Sequence, residues 1–445
     1  MGSFEARILA EIREFMVSTV QRRPYSSLGI MPPAAAAAET KPLLYTEFPA
    51  LHDDEVVVPQ DGTIVTSYLG LMSTMAGACI LTLPSTMQMT PVLPSSFLLV
   101  AMAGLAYAGC VCICIACDGS GATSFESLAK RLRHPIQLWI VRGLVMLLLF
   151  GAVVMYVVIA TDMLQPFLPF LSRFVIGGLF AGICLPLCLP DTVAALKYTN
   201  SVVVCCVLYI VVVLVFQAVS QENAWPSEPV SPVTFRGVAY TMPIQALSYC
   251  MHLNIPQVYS ELPHKPSMSI VFALLFGSGV ALYLTAALAG YACFHGFPPS
   301  DILTGFAADS PTINGVRLAL GVCMLCKTPI TYQPLREVME DMAGGLFPKM
   351  AFRLAATSVF LVASWILAVT ANDLSYVMDW VGATAGVLLS FAFPGLFLWE
   401  MLDQDYHQQA YSTSQIRWYK VLAGFMVITG VFLSAVSVAR MIWFY

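Results

Sequence analysis

The sequence predicts an all-α integral membrane protein with eleven transmembrane helices, arranged as two inverted five-helix repeats whose first helices are broken. Of its 445 residues, 58% are hydrophobic and only 11% are charged, whereas a soluble domain carries about 25% charged residues. Hydropathy divides the chain into eleven apolar spans, and the first and sixth are interrupted near their middle. Two broken helices five spans apart have the spacing expected of inverted repeats.

Residues 1–61 are predicted to form a cytoplasmic tail that is largely disordered, because they are polar and include the flexible run PPAAAAAETKP. In this tail, Glu39 followed by Leu43 and Leu44 resembles an acidic dileucine sorting signal, which would bind a sorting adaptor. Residues 62–445 form the predicted membrane domain, with repeat one at about 62–220, repeat two at about 236–402 and an extra span at 416–445. We expect the plasma membrane or an endolysosomal or vacuolar membrane.

The first span, at 63–88, carries no charge and is long enough to cross about 30 Å of hydrocarbon. Its middle, Gly77-Ala78-Cys79, has only small side chains, and Pro84 follows before the span is over. Irregular backbone at this depth is tolerated where it is buried in protein or lines a cavity. The stretch either offers bare N–H and C=O groups to the carboxylate and amine of a ligand or forms a notch where two helices pack closely.

The distribution of positive charge predicts the orientation. The later spans are predicted at 93–117, 136–163, 173–189, 198–220, 237–262, 268–294, 313–332, 352–370, 376–402 and 418–443. With the N-terminus in the cytoplasm, nearly all Lys and Arg residues fall in inside segments, and little beyond Arg173 and Arg236 falls outside. Because positive loops stay in the cytoplasm, the N-terminus is predicted inside and the C-terminus outside.

Charged residues near the predicted span ends are expected to lie at the interface, with a gate as the alternative role. Arg142 and Glu400 lie near inside ends, and Asp162 and Asp379 near outside ends. Between spans two and three, residues 123–126 read TSFE, a capping-box pattern. This predicts a short cytoplasmic helix near the membrane surface.

The sixth span repeats the interruption of the first, with the polar run YCMHLNIP at 249–256. Its sequence PIQALSYCMHLNIPQVYSEL at 243–262 resembles span six of the amino acid/auxin permease family. Four further stretches match that family in order: GACILTLP at 77–84, ALYLTAALAGYACFHG with a following DIL at 281–303, KTPITYQPLR at 327–336 and VGATAGVLLSFAFPGLF at 381–397. The resemblance covers about 62–445. It implies an amino-acid transporter with a LeuT-like core, driven by a proton or sodium gradient.

The resemblance implies a substrate site between the two breaks. Its predicted residues are Thr74, Gly77, Ala78, Cys79, Ser248, Tyr249, His252 and Asn254. The backbone at Gly77 to Cys79 would hold the α-carboxylate and amine, and His252 would contact substrate or act as a gate. Plainer alternatives remain open: His252 bonds a neighbouring carbonyl, Tyr249 only packs, Asn254 caps the half-helix and Ser248 bonds the backbone.

Departures from the family pattern concern substrate size and the coupling ion. Cys79 stands where the family has its second glycine, so the pocket should be narrower. Ser73 and Lys327 stand where sodium-coupled members have Asn and Thr, and Thr328 completes the predicted ion-site position. The Lys327 ammonium would either replace sodium between spans one and eight, with possible proton exchange, or extend to the headgroups. Both alternatives argue against a standard sodium site.

The predicted function is therefore secondary active transport of amino acids by alternating access, proton-coupled or facilitative rather than sodium-driven. Glu261 is predicted to form a gating or structural ion pair with Lys265 or a loop arginine. The alternative is an amino-acid sensor in an endomembrane that binds substrate and signals with little flux. The expected partners are an amino acid and the lipid bilayer. We predict no enzyme activity, cofactor, metal site or nucleic-acid binding.

Overall fold

The computed structural model describes residues 62–77, 79–189, 193–220, 232–307, 310–344, 348–370, 381–403 and 412–444, and the regular secondary structure of these residues is helical. The predicted tail with its sorting signal, Ala78 and Asp379 lie outside the described residues. We number the α-helices in chain order: α1 Ile64–Met75, α2 Cys79–Met89, α3 Val92–Ser120, α4 Phe125–Ala129, α5 Pro135–Leu164, α6 Arg173–Cys188, α7 Val193–Val219, α8 Phe235–Ser248, α9 Ile255–Glu261, α10 Ser267–Cys293, α11 Pro311–Ala343, α12 Lys349–Thr370, α13 Phe393–Leu402 and α14 Thr413–Phe444.

The described residues contain eight helices that are long and apolar enough to cross a membrane, and the bent pair α1 and α2 makes a ninth. The chain is thus an all-helical multi-pass membrane protein. Three shorter helices correspond to the other predicted spans: α6 has 16 residues, and α8 and α9 have 14 and 7. The count of eleven spans and the inverted repeat stay predictions.

The first span is broken as predicted. Thr63 caps α1 through its hydroxyl, which accepts from the Thr66 N–H, and α1 ends at Met75. Ala76 is extended, with φ −76° and ψ 128°, and α2 continues at an angle of 58° to α1. Pro84 lies inside α2, which continues past it to Met89.

The sixth span is also broken. Helix α8 ends at Ser248 and α9 begins at Ile255, with a 3₁₀ turn over His252–Asn254 between them. Pro256 lies in the first turn of α9. Backbone N–H groups in a first turn have no helical acceptor, so the N–H that proline lacks costs no hydrogen bond. Helix α10 packs along both α1 and α2, and α11 packs against α5 and α7.

Span eight continues well beyond its predicted end at residue 332, since α11 extends to Ala343. Lys327 therefore lies in the interior of a long helix. The alternative in which it extends to the headgroups was wrong, because its side chain is directed to buried carbonyl groups rather than to the helix end. Near residue 382 the backbone winds as a π-helix over Gly382–Gly386 and Leu388–Ala392, leading into α13.

The predicted capping box at 123–126 was wrong in its residues. Ser124 caps α4 and Ser127 completes the box, so the Glu126 carboxylate is available to Arg142. Arg142 and Glu400 are buried within the protein, at 7% and 6% exposed, and their interfacial depth stays a prediction. The Glu400 carboxylate accepts from the backbone N–H of Arg133 and the side-chain amide of Gln137, at 2.8 and 2.9 Å.

Candidate functional site

A cavity of about 110 Å³ lies between the two helix breaks. Each break forms part of its wall, α5 forms the apolar side, and α11 and the start of the π-helical segment close it. Of the residues predicted for the site, the structure brings together Thr74, Gly77, Cys79, His252, Asn254 and Lys327.

A larger groove of about 750 Å³ lies between α6 and α12. Its walls are apolar side chains, glycines and Trp365, whose indole N–H already donates to the Phe174 carbonyl at 2.9 Å. The groove offers no charged side chain for the two charged ends of an amino acid. The cavity between the breaks is therefore the candidate site.

Lys327 reaches from α11 into the break of the first span. Lys327 is only 4% exposed. Its Nζ donates to the backbone carbonyls of Thr74 and Ala76 at 3.0 and 2.8 Å. Because a helix end leaves its last carbonyls without helical partners, the ammonium supplies the donors that the break removes. A Cβ on Gly77 would lie 2.5 Å from Nζ, so a larger residue at this position would displace the ammonium.

His252 lies in the 3₁₀ turn of the second break and is 1% exposed. Its Nε2 lies 3.1 Å from the Ala106 carbonyl of α3. Since a carbonyl only accepts, Nε2 carries the hydrogen, and Nδ1 is an acceptor in the neutral ring. Nδ1 is buried without a hydrogen-bond partner among the described residues. The ring thus bonds the neighbouring helix while it lines the cavity.

Asn254 joins the two breaks directly. Its Nδ2 donates to the Thr74 hydroxyl at 3.0 Å, and that hydroxyl donates to the Gly70 carbonyl at 2.9 Å. Asn254 is the N-cap residue of α9, but its side chain makes no capping bond. The capping alternative was therefore wrong.

Four other predicted site residues, which are Ser73, Ser248, Tyr249 and Thr328, do not line the cavity. The Ser248 hydroxyl donates to the Ile244 carbonyl at 2.9 Å, which agrees with the alternative that Ser248 only bonds the backbone. Tyr249 is buried against Tyr283. The Ser73 hydroxyl donates to Asn200 Oδ1 of α7 at 2.7 Å. Thr328 bonds the Met324 carbonyl of its own helix at 2.9 Å.

The predicted gate lies at the end of α9. The Glu261 carboxylate accepts from the Gln257 side-chain amide at 3.2 Å. The backbone carbonyl of Glu261 accepts from the Gly62 N–H. The Lys265 ammonium donates to the carbonyls of Tyr259 and Ser260. This corner joins the start of the first span to the end of the sixth.

Tyr283 of α10 was missed by sequence reasoning. Its hydroxyl lies 2.9 Å from the Met75 carbonyl and 2.7 Å from the Ser248 carbonyl, the last residues of α1 and α8. The signal in the sequence was a tyrosine in the otherwise apolar run ALYLTAALAG. One hydroxyl therefore joins both breaks.

Residues 60–443 match the family described as transmembrane amino acid transporter protein. The chain belongs to this family. The match covers both breaks, the cavity and α11, and the family consists of transporters rather than enzymes. The family resemblance drawn from the five motifs is thereby confirmed.

Two relatives show how the transporter compares in sequence. It is 27% identical over 177 residues to the sodium-coupled neutral amino acid transporter 4 of Pongo abelii. The aligned residues are 38% of this chain and 32% of that protein. It is 24% identical over 354 residues to the vacuolar amino acid transporter 5 of Schizosaccharomyces pombe. This alignment covers 74% of this chain and 82% of the yeast protein. The match thus spans about a third of the first relative's length.

Solved structures share the fold. A sodium-coupled sialic acid symporter superposes with a TM-score of 0.58 at 13% identity, covering 84% of this transporter and 89% of the symporter. The manganese transporter of Eremococcus coleocola superposes with a TM-score of 0.52 at 15% identity. The superposition covers 85% of this chain and 86% of the manganese transporter. At these identities the likeness concerns the LeuT-like fold.

Proposed function

We propose that this transporter is a secondary active carrier of amino acids that works by alternating access without sodium coupling. The substrate binds in the cavity between the two breaks, and protons or exchange of substrate drive the cycle. In this proposal eleven spans cross the membrane with the N-terminus in the cytoplasm. Spans one to five and six to ten form the inverted repeats, and α14 is peripheral.

The observation that carries the proposal is the contact between Lys327 and the first break. In sodium-coupled members of the resembled family, the corresponding space between spans one and eight holds a sodium ion. Here the ammonium occupies it and donates to the Thr74 and Ala76 carbonyls, which are oxygen ligands of the kind that a hard cation binds. A fixed positive charge at this place supports a cycle that needs no sodium.

The cavity also has groups that suit a zwitterion. The Lys327 ammonium offers a positive charge to the carboxylate of the substrate. The broken backbone near Gly77 offers it the dipole of a helix end. Nδ1 of His252 is an acceptor for an N–H donor of the substrate, such as its ammonium. Apolar side chains of α5 face the substrate side chain; they include Leu148, Leu149 and Met155.

Uptake into proteoliposomes tests the coupling. We would measure a panel of labelled amino acids under imposed pH or sodium gradients, for wild type and Lys327→Thr. We expect a pH gradient or internal substrate to drive wild-type uptake and sodium to have no effect. The Thr hydroxyl leaves the two carbonyls free, so the variant should lose wild-type uptake or gain sodium dependence. Lys420→Thr, which removes a lysine paired with Asp403 far from the cavity, is the control.

Two results would contradict the proposal. Sodium-driven uptake by the wild type would show that Lys327 does not replace the ion. Specific binding of an amino acid with no transport of any labelled compound would favour the sensor, which is the alternative function of this site.

A further inference from the structure

A second, smaller cavity lies beside the substrate cavity, toward the end of α11 that is predicted to be cytoplasmic. It measures about 10 Å³, and Leu253 and Pro334 line both cavities, so these two side chains separate them. The polar part of its wall consists of Glu126, Glu337 and Gln257 together with Ser124. This volume is about that of one water molecule.

Glu126 is only half satisfied in this place. Its side chain is 6% exposed, and its Oε1 accepts from the Arg142 guanidinium, with Nε at 2.7 Å. Its Oε2 is buried and has no hydrogen-bond partner among the described residues. Burial raises the pKa of the Glu126 carboxyl above its ordinary value, although the Arg142 guanidinium acts in the opposite direction.

The positive charges near this cavity also contact carboxylates that do not line it. Arg142 of α5 also contacts Asp341 of α11, and Lys130 contacts Asp341 as well. On the other side of α11, Arg336 and Arg353 contact Glu340. Glu126 lines the same cavity as Glu337, and the charged side chains of the network on α11 and the segments packed against it are Glu126, Lys130, Arg142, Arg336, Glu340, Asp341 and Arg353.

We propose that Glu126 and Glu337 together bind the coupling proton of the transport cycle. Two carboxylates that face one water-sized cavity repel each other when both are ionised, and a shared proton removes the repulsion. The bound proton forms an O–H on one carboxyl, which donates to the other carboxylate directly or through one water. The proton is taken up from water on the outer side, release breaks the O–H bond and delivers the proton to cytoplasmic water, and no other bond changes. This inference rests on the proposed transport function.

The partition between the cavities supplies a physical connection to the substrate. Leu253 belongs to the same 3₁₀ turn as His252 and Asn254, which line the substrate cavity. A movement of this turn around a bound amino acid displaces Leu253 against Pro334 and changes the wall of the carboxylate cavity. Protonation of the carboxylate pair and occupancy of the substrate cavity thus bias the same element.

The test separates proton coupling from substrate movement in proteoliposomes. We would compare wild type, Glu337→Gln and the control Asp403→Asn, whose carboxylate pairs with Lys420 outside both cavities. Counterflow with unlabelled amino acid inside reports substrate exchange, and accumulation under an acidic outside pH, with the membrane potential clamped, reports coupling. An internal pH dye measures proton entry directly.

We expect Glu337→Gln to lose pH-driven accumulation and substrate-dependent proton entry, and its counterflow to become independent of pH. Asp403→Asn should keep accumulation, proton entry and pH dependence. Proton-driven accumulation by Glu337→Gln would overturn the inference, and so would its loss of counterflow, because the carboxylate would then serve substrate movement itself. Wild-type counterflow without proton-driven accumulation overturns this inference alone, whereas absence of wild-type counterflow overturns the proposed function.

Discussion

At the residue scale, side-chain donors reach backbone carbonyls at both helix breaks. Lys327 donates to Thr74 and Ala76, and Tyr283 lies within hydrogen-bonding distance of the last carbonyls of α1 and α8. An unsatisfied backbone group in the apolar part of a membrane costs several kcal/mol. Two distant side chains therefore stabilise the breaks by replacing part of the lost helical bonds.

Tyr283→Phe is expected to lower the stability of the protein and slow transport. Removal of the hydroxyl leaves the Met75 and Ser248 carbonyls without this donor, which we expect to lower the free energy of unfolding by about 1–3 kcal/mol. Thermal unfolding in detergent measures the stability, and counterflow in proteoliposomes measures transport.

Tyr332→Phe is the matched control for this variant. The Tyr332 hydroxyl is also buried and lies 2.8 Å from the Thr357 hydroxyl, where it joins α11 to α12 away from the breaks. We expect a similar loss of stability with transport retained. Equal slowing of transport by both variants would contradict a specific role for Tyr283 at the breaks.

At the element scale, Arg142 ties three helices together near the predicted cytoplasmic side. It lies on α5 and contacts Glu126 of α4 and Asp341 of α11. The short helix α4 has five residues, too few for a helix that is stable alone. Its position depends on the capping box of Ser124 and Ser127, on packing of Phe125 against Phe397, and on this ion pair.

Arg142→Met is expected to destabilise the protein strongly. The change leaves the buried Glu126 carboxylate without its cation, whereas Asp341 keeps Lys130, and we expect the loss of the buried pair to cost about 3–5 kcal/mol. The measurement is the unfolding temperature in detergent, compared with that of Arg173→Met.

Arg173 is a suitable control because its ion pair with Asp162 is exposed, with side chains 57% and 43% accessible. Removal of an exposed pair should cost only about 0–1 kcal/mol. If the two variants unfolded at the same temperature, the network around Arg142 would not be what holds α4 in place.

At the scale of the whole molecule, charge placement and span count make one joint prediction. An odd number of spans puts the two termini on opposite sides of the membrane, and the positive-inside bias places the N-terminus in the cytoplasm. The Pro- and Ser-rich loop between α7 and α8, at 221–231, is then outside, and the segment between α4 and α5 is inside.

Engineered glycosylation sites test this arrangement. A sequon placed in the 221–231 loop, or appended after Tyr445, should be glycosylated in a eukaryotic cell, whereas one placed beside His134 should not. Glycosylation at the loop but not at the C-terminus would rule out eleven spans while keeping the predicted orientation. The natural chain has no N-x-[ST] sequon, so any glycan reports only the engineered site.

The sequence by itself determined the class of the protein and the place of both breaks. Hydropathy depends only on local composition, and a proline or a run of small residues interrupts a helix locally, so both signals can be read without the fold. The motifs around Gly77 and His252 also identified the family. Local signals were weaker at boundaries: Pro84 did not end α2, and α11 extended past its apolar stretch because the buried charges near its end are paired.

Only the tertiary structure decided which side chains complete the site. The Lys327 ammonium meets a carbonyl 251 positions away in the chain, and the Tyr283 hydroxyl one 208 positions away. Glu126 and Glu337 come to one cavity from α4 and α11. Contacts at such separations follow from helix packing rather than from local propensity, so the residues were visible in the sequence but their partners were not.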